Sequence, residues 1–473
     1  MGILVTDPLA LRRPNAEGHR LAPGSMFREG GEMTGLRNGL SRREFLAGSA
    51  AFALACSARS ASEPEFDLLL QGGHLIDPRN GLSAVRDVAV HDGRVAAVGE
   101  AIDPGRAFKV VECGGLYVTP GLFDLHVHAF AGTNEPGSLV GDSSLYPDGH
   151  TFRSGVTTVL DAGCAGWRDF ETFRETVISR ARTRVLALVN IVGHGMRGGE
   201  IEQDRSDMEA APTAALARDH ADVIVGIKTA HYAAPDWFAV DESLRAGEAA
   251  GLPLMVDFGD DHPERPLEAL LGEKLRRGDI YTHCYAGNRR ELLADGTPNP
   301  GLFAGRERGV LFDVGHGGRS FRWSVAARCL EAGFPPDAIS TDLHIGSMNS
   351  GMHDQITTMS KFLALGEPLE DVIAQSTWKP ALAVGREDIG HLSVGATADI
   401  AVLQKETGSF GYVDSFGARQ DGSERLAAEM TFKDGRLEWD RNGRTRRDWR
   451  ALPHDYGEQG DARWDGILYR QRS

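Results

Sequence analysis

The sequence predicts an α/β fold, a (β/α)8 TIM barrel carrying a small β-sandwich built from both ends of the chain. Three observations predict it. Short β-like runs alternate with helical stretches through the middle of the chain, and hairpin-rich segments lie on either side. Six polar residues, His126, His128, Lys228, Asp257, His283 and Asp342, each fall at or near the end of one of those runs. A barrel carries its chemistry on the C-terminal ends of its strands, so six such residues converge on one point.

Taken in order, residues 1–62 read as an N-terminal extension and an export address. Ser41-Arg42-Arg43-Glu44-Phe45-Leu46, followed by the apolar run Ala47 to Cys56, resembles a twin-arginine signal peptide. The run is too short to stay in a bilayer as a permanent helix. The protein is therefore expected to be exported to the periplasm or another extracytoplasmic space, with no stable transmembrane segment. Ala53-Leu54-Ala55-Cys56 also fits a lipoprotein signal anchored at Cys56, while Ser57 to Ser62 offers small residues for ordinary cleavage. Both remain open.

Residues 63–117 are alternating runs punctuated by Gly72-Gly73, Pro78-Arg79-Asn80-Gly81 and Asp92-Gly93, which is hairpin chemistry and forms the first part of the sandwich. Residues 390–445 resume that style as its second part, and 446–473 form a tail. Between them, 118–389 is the barrel. Its expected strands are Tyr117 to His128, Val156 to Asp161, Val185 to Val192, Val223 to Lys228, Leu254 to Phe258, Asp279 to His283, Val310 to His316 and Ala338 to Asp342. Helices over Trp167 to Ala181, Asp241 to Ala250 and Trp323 to Ala332 fill gaps between them. An open doubly wound sheet is the alternative. No Gly-x-Gly-x-x-Gly fingerprint follows the first strand.

Composition narrows the function. In 473 residues, 41% are hydrophobic and 25% charged, ordinary values for a chain with a large buried core. The net charge of −16 argues against nucleic acid as a partner. The five cysteines are odd in number and irregularly spaced, so they make neither a disulfide framework nor a zinc knuckle. A homo-oligomer stays open.

The chemistry starts at His126-Val127-His128. Two imidazoles two apart on a strand point to one face, so they can hold one zinc at about 2.0–2.1 Å. Lys228 closes an apolar run, where burial disfavours the cation and moves the amine towards its neutral form. Asp342 can ligate a metal and carry a proton from attacking water to the leaving group.

Pro120-Gly121-Leu122-Phe123-Asp124-Leu125-His126-Val127-His128, with the bracketing β-rich segments, resembles the amidohydrolase superfamily. VGIKTAH around Lys228, DIYTHCYAGN around His283, GVLFDVGHGGRSF at 309–321 and ISTDLH at 339–344 resemble its dihydroorotase-like deacetylase branch. The resemblance implies two divalent metal ions, Zn2+ first among them. It implies that carbon dioxide adds to Lys228 as a carbamate bridging both ions, and that His283 completes the second ion's shell.

Strand 5 departs from the pattern, placing Asp257 where the family has a histidine. Three readings stay open: Asp257 ligates, His262 swings in instead, or the second site is incomplete. His316 and Arg319, in a glycine-rich turn, are candidate substrate contacts or a solvated loop. The expected activity is hydrolysis of a small acylated amide or ester of the deacetylase or deacylase type. Hydroxide held by the metals attacks the carbonyl and Asp342 shuttles the proton. The alternatives are opening of a cyclic amide, as in dihydroorotases and hydantoinases, and an inactive exported binding protein.

Replacing both Arg42 and Arg43 by lysine is expected to hold the precursor in the cytoplasm, read by fractionation and immunoblotting. Normal export of that variant would point to another route.

Overall fold

The computed structural model describes residues 64–259 and 261–456; the twin-arginine segment, Cys56 and the tail beyond 456 lie outside the described residues. Five strands come first: β1 (Phe66–Asp77), β2 (Leu82–His91), β3 (Arg94–Gly99), β4 (Ala107–Glu112) and β5 (Tyr117–Pro120). Seven follow: β6 (Leu122–Val127), β7 (Val156–Asp161), β8 (Arg184–Asn190), β9 (Ile224–Thr229), β10 (Leu254–Val256), β11 (Ile280–Tyr281) and β12 (Leu311–Phe312). The last three are β13 (Ile400–Val413), β14 (Arg419–Lys433) and β15 (Arg436–Asp440).

The β-rich segments on either side of the central region join in one hydrogen-bonded sheet, and its two halves share one apolar core. Its order is β15-β14-β13-β5-β1-β2-β3, with β4 alongside β1. The join is β5, parallel to β1 on one side and antiparallel to β13 on the other. The run Tyr117 to His128, expected as one strand, divides at Gly121. The Gly121 N–H donates to Asp399 O at 2.8 Å, and a Cβ at Gly121 would lie 2.2 Å from Thr157 Oγ1, so only glycine lets the chain pass from one sheet to the next.

Strands β6 to β12 form a curled, wholly parallel sheet in sequence order. Strands β6, β7 and β9 are buried along their whole length, as their near-continuous apolar character requires in a sheet covered on both faces. Past β12, Ala338 bridges Asp313 and Leu343 bridges Val127, both in parallel, so segment 338–343 touches both edges of the curl. The expected helix Trp167 to Ala181 is shorter: Phe170–Phe173 is α-helical and Arg174–Ile178 widens to a π-turn. Thr176 Oγ1 donates to Thr172 O at 2.6 Å, the kind of back-bond that loosens a helix. Among the described residues no helix is long and apolar enough to cross a membrane.

The two sheets are pinned by charge. Asp399, just before β13, accepts from Arg184 at the start of β8 at 2.5 Å and from Lys433 at 3.1 Å. Burial pushes its carboxyl up, but these two cations outweigh burial and hold it below the ordinary value. Its ionised form is thus favoured by folding, so the stability it contributes is present above pH about 4 and is lost as pH falls below that. Asp399→Ala, which leaves Asp434 as the carboxylate beside Lys433 and Arg184, is expected to cost about 2 kcal/mol at pH 7 and to flatten the acid limb of the stability curve, read by chemical denaturation.

Candidate active site

His126 and His128 lie at the end of β6, and Asp342 lies in the segment that bridges β6. Their ligand-type atoms lie within 4.8 Å of one another, and among the described residues this is the one such His/Cys/Asp/Glu group. Asp342 Oδ1 is 2.9 Å from His128 Nε2 and 3.5 Å from His126 Nε2. Two donors each about 2.0–2.1 Å from one tetrahedral ion stand roughly 3.3 Å apart, so the trio fits a single cation. Burial and the Lys228 cation push the His126 pKa down to about 3, leaving the neutral imidazole that a metal requires. Burial raises the Asp342 carboxyl, but His126 and His128 outweigh it and keep the group ionised.

Neighbouring strand ends hold these rings. His126 Nδ1 bonds to Thr282 Oγ1 at 2.9 Å, and Thr282 donates to Asp313 Oδ2 at 2.7 Å. Asp124 accepts from the Thr341 N–H and hydroxyl, fixing the residue before Asp342, although burial pushes its own pKa up to about 7. His128 Nδ1 meets Cys164 Sγ at 3.1 Å. His283 Nδ1 faces Gly315 O at 2.6 Å, and since a carbonyl only accepts, that nitrogen carries the hydrogen. His283 Nε2 lies 3.4 Å from Asp257 Oδ2. Of eight described non-glycine residues with positive φ, three are His231, His283 and Asp342, all beside this centre. Such backbone costs about 1–3 kcal/mol each and persists where surroundings impose it.

Lys228 ends β9, wholly buried, where burial lowers its amine pKa. Its Nζ reaches Met255 Sδ at 3.5 Å, a weak acceptor, so the amine is not consumed by a close ion pair.

Asp257 follows β10, as expected, but its surroundings are new. Oδ1 accepts from Arg289 Nη2 at 2.5 Å, and Oδ2 faces His231 Nε2 at 3.3 Å as well as His283. His231 Nδ1 in turn pairs with Glu202 at 2.7 Å. Burial would raise the Asp257 carboxyl, but Arg289 and His283 prevail and hold it well below the carboxylate range. Burial opposes protonation of His231 and its two carboxylate partners favour it, with the net effect upward. Asp257 Oδ1 is thereby anchored on Arg289, while Oδ2 lies between His231 and His283. His262 sits in a turn closed by the Arg265 N–H, and among the described residues it bonds to none of Lys228, Asp257 and His283.

His316, the candidate substrate contact or solvated-loop residue, lies inside the protein. It is wholly buried, its Nε2 bonds to Lys361 Nζ at 2.7 Å, its Nδ1 approaches Gly317 O at 3.0 Å, and its ring stacks on Phe321. The solvated-loop reading of His316 fails, because the alternating glycines around it serve close packing. Arg319 is exposed, with no hydrogen bond or ion pair among the described residues.

The amidohydrolase family matches residues 117–436, well over half of the chain. The chain belongs to the amidohydrolase family. A deacetylase of Agrobacterium fabrum is 32% identical over 338 residues, spanning 69% of this chain and 80% of the relative. Among solved structures, an adenine deaminase superposes with a TM-score of 0.71 at 27% identity, covering 79% of this chain and 100% of the other. A dihydroorotase superposes with a TM-score of 0.69 at 28% identity, covering 78% and 98%. This amidohydrolase is thus a hydrolase of a family acting on carbon–nitrogen bonds.

Asp124, Cys164, Thr282, Arg289 and Asp313 were missed in the sequence as parts of this amidohydrolase's centre. Asp124 and Asp313 had a readable signal, since each is a lone carboxylate inside an apolar strand run. Arg289 had none, because it lies 32 residues from Asp257 in a loop, beside a second arginine, Arg290.

Arg289→Met is expected to cost about 3 kcal/mol by leaving Asp257 Oδ1 buried without its guanidinium. Asp257→Asn with Arg289→Met should cost at least about 1 kcal/mol less than the two changes summed, in a double-mutant cycle read by denaturation. Additive losses would mean the pair does not interact.

Proposed function

We propose that this chain is an exported, metal-dependent deacylase that cleaves the acyl amide or ester of a small molecule, most simply an acetyl group. The meeting of His126, His128 and Asp342 in one cation-sized group carries the reading, and the 32% identical deacetylase favours deacylation. In this reading segment 338–343 is the eighth stave of a closed (β/α)8 barrel.

Two divalent ions, Zn2+ first among them, fit the residues present. His126, His128 and Asp342 would hold one, and His283 with Asp257 Oδ2 the other. Lys228, modified by carbon dioxide to a carbamate, would serve both, and desolvation favours the neutral amine that such an addition needs. When bound, the ions lower the pKa of water and polarise the scissile carbonyl. The chain's own residues do the rest. Asp342, held ionised and within reach of both histidines, accepts a proton from the attacking water and delivers it to the leaving nitrogen or oxygen. Thr282 and Asp313 keep His126 in one tautomer, and Arg289 keeps Asp257 in one orientation.

Cyclic amide opening is the second reading, supported by the dihydroorotase likeness. Export through the twin-arginine route argues against it, because pyrimidine synthesis is cytoplasmic. The retained ligand set argues against a dead binding protein.

The deciding experiment is a screen of N-acetyl and O-acetyl compounds against cyclic amides on metal-analysed protein. Acyl hydrolysis that disappears on chelation, and by about a thousandfold or more in Asp342→Asn, is expected. Full activity in metal-free protein would end the reading. His126→Ala should also lower thermal stability in the metal-loaded protein, because metal bound only to the native state stabilises it.

A further inference from the structure

Strands β13 and β14 are far longer than the rest of their sheet requires, and their turn, Asp414-Ser415-Phe416-Gly417-Ala418, lands on the loops of the parallel sheet. Hairpin turns ordinarily face solvent. This one does so only at its tip: Phe416, Gly417 and Ala418 are exposed, but Asp414 is 2% exposed. Its Oδ1 caps the turn by accepting from Phe416 and Ala418 N–H at 2.9 Å, and its Oδ2 accepts from Trp323 N–H at 3.2 Å. Ser415 and Phe321 exchange bonds, the Ser415 N–H donating to Phe321 O at 3.1 Å and the Phe321 N–H to Ser415 Oγ at 3.2 Å. The Ser415 hydroxyl is shared between the carbonyls of His316 and Gly317, each 3.1 Å away.

On its other side the turn packs on Gly351, where a Cβ would lie 2.5 Å from Val413 O. Buried Lys361 binds all three segments at once, donating to Val413 O at 2.8 Å, to Gly351 O at 2.7 Å and to the His316 ring at 2.7 Å. The turn is thus wedged between the loop after β12 and the loop after Asp342.

That first loop lies against the ligands. Gly315 O fixes His283 Nδ1, and a Cβ at Gly315 would stand 2.7 Å from that nitrogen. A Cβ at Gly317 would stand 2.2 Å from Asp342 Oδ2. A shift of loop 315–317 by a fraction of an ångström would therefore displace both ligands.

We propose that the β13–β14 hairpin is a positioning element of the active centre, with Ser415 as its contact residue, setting through Gly315 and Gly317 where His283 and Asp342 point. This rests on the reading of those two residues as ligands. No residue of the hairpin touches the reacting atoms.

Three variants of the full chain test it: Ser415→Ala, Ser415→Thr, which keeps the hydroxyl, and Phe416→Ala, which trims the exposed tip. Amide hydrogen exchange by mass spectrometry, zinc affinity by chelator competition, and kcat and KM would be read for each. Ser415→Ala is expected to speed exchange in peptides covering 313–321 and 340–344 with little change in melting temperature. It should also weaken zinc by about tenfold and lower kcat with little effect on KM. Ser415→Thr should restore all of these, and Phe416→Ala should resemble the parent. Faster exchange confined to 413–418, with 340–344 and zinc affinity unchanged, would overturn the proposal. Exchange needs neither metal nor substrate, so a parent protein that takes up no zinc counts against the proposed function while the hairpin is still decided.

Discussion

Burial of charge without solvent to screen it is the constraint on which this structure depends. Lys228, Asp257, Arg289, Asp313 and Asp342 are all buried within one neighbourhood, together with His126, His128 and His283. Isolated, each ionised group would carry a penalty of several kcal/mol. They are tolerable because each faces a partner: Asp342 the two imidazoles of β6, Asp257 the guanidinium of Arg289, Asp313 the hydroxyls of Thr282 and Ser340. Lys228 is the exception, with only a thioether in hydrogen-bond range among the described residues. It is therefore the group for which desolvation has the largest chemical consequence.

The same economy explains how strand 5 can carry an aspartate. A histidine ligand is neutral and would need no counter-ion, whereas Asp257 brings a negative charge into a buried place. Arg289 answers that charge through Oδ1, and its Nε anchors to Gly259 O at 2.6 Å, so the guanidinium itself cannot swing away. Oδ2 is left pointing at His283. In the proposed function a carboxylate so held has one orientation, which would offset the shorter reach of aspartate compared with histidine.

Much of this was legible in the sequence, for a definable reason. The spacing of His126 and His128, the apolar run ending at Lys228 and the position of Asp342 are local patterns, and the ladder of β6 to β12 turns such patterns directly into position. The break at Gly121 was not legible, because it is imposed by Thr157 and Asp399 from other parts of the chain. Nor were the pairings of Asp257 with Arg289 and of His316 with Lys361, 45 residues apart. Periodicity reports that a side chain faces inward, but it does not report which inward group it meets. His316 misled for that reason, since a histidine among glycines looks mobile until its lysine is known.

The glycines of that turn close the argument. Gly315 and Gly317 have φ of 44° and 53°, left-handed values that any L side chain resists, and each lies where a Cβ would strike a ligand or its support. A glycine loop gains this closeness at the expense of stiffness, since it has no side chains of its own to pack. Stiffness must then come from outside the loop. The carbonyls of His316 and Gly317 are taken by Ser415, and the His316 ring is taken by Lys361. The mixed sheet at the two chain ends is thereby more than a platform beneath the parallel one, because its longest hairpin supplies the rigidity that the loop beside Asp342 gave up.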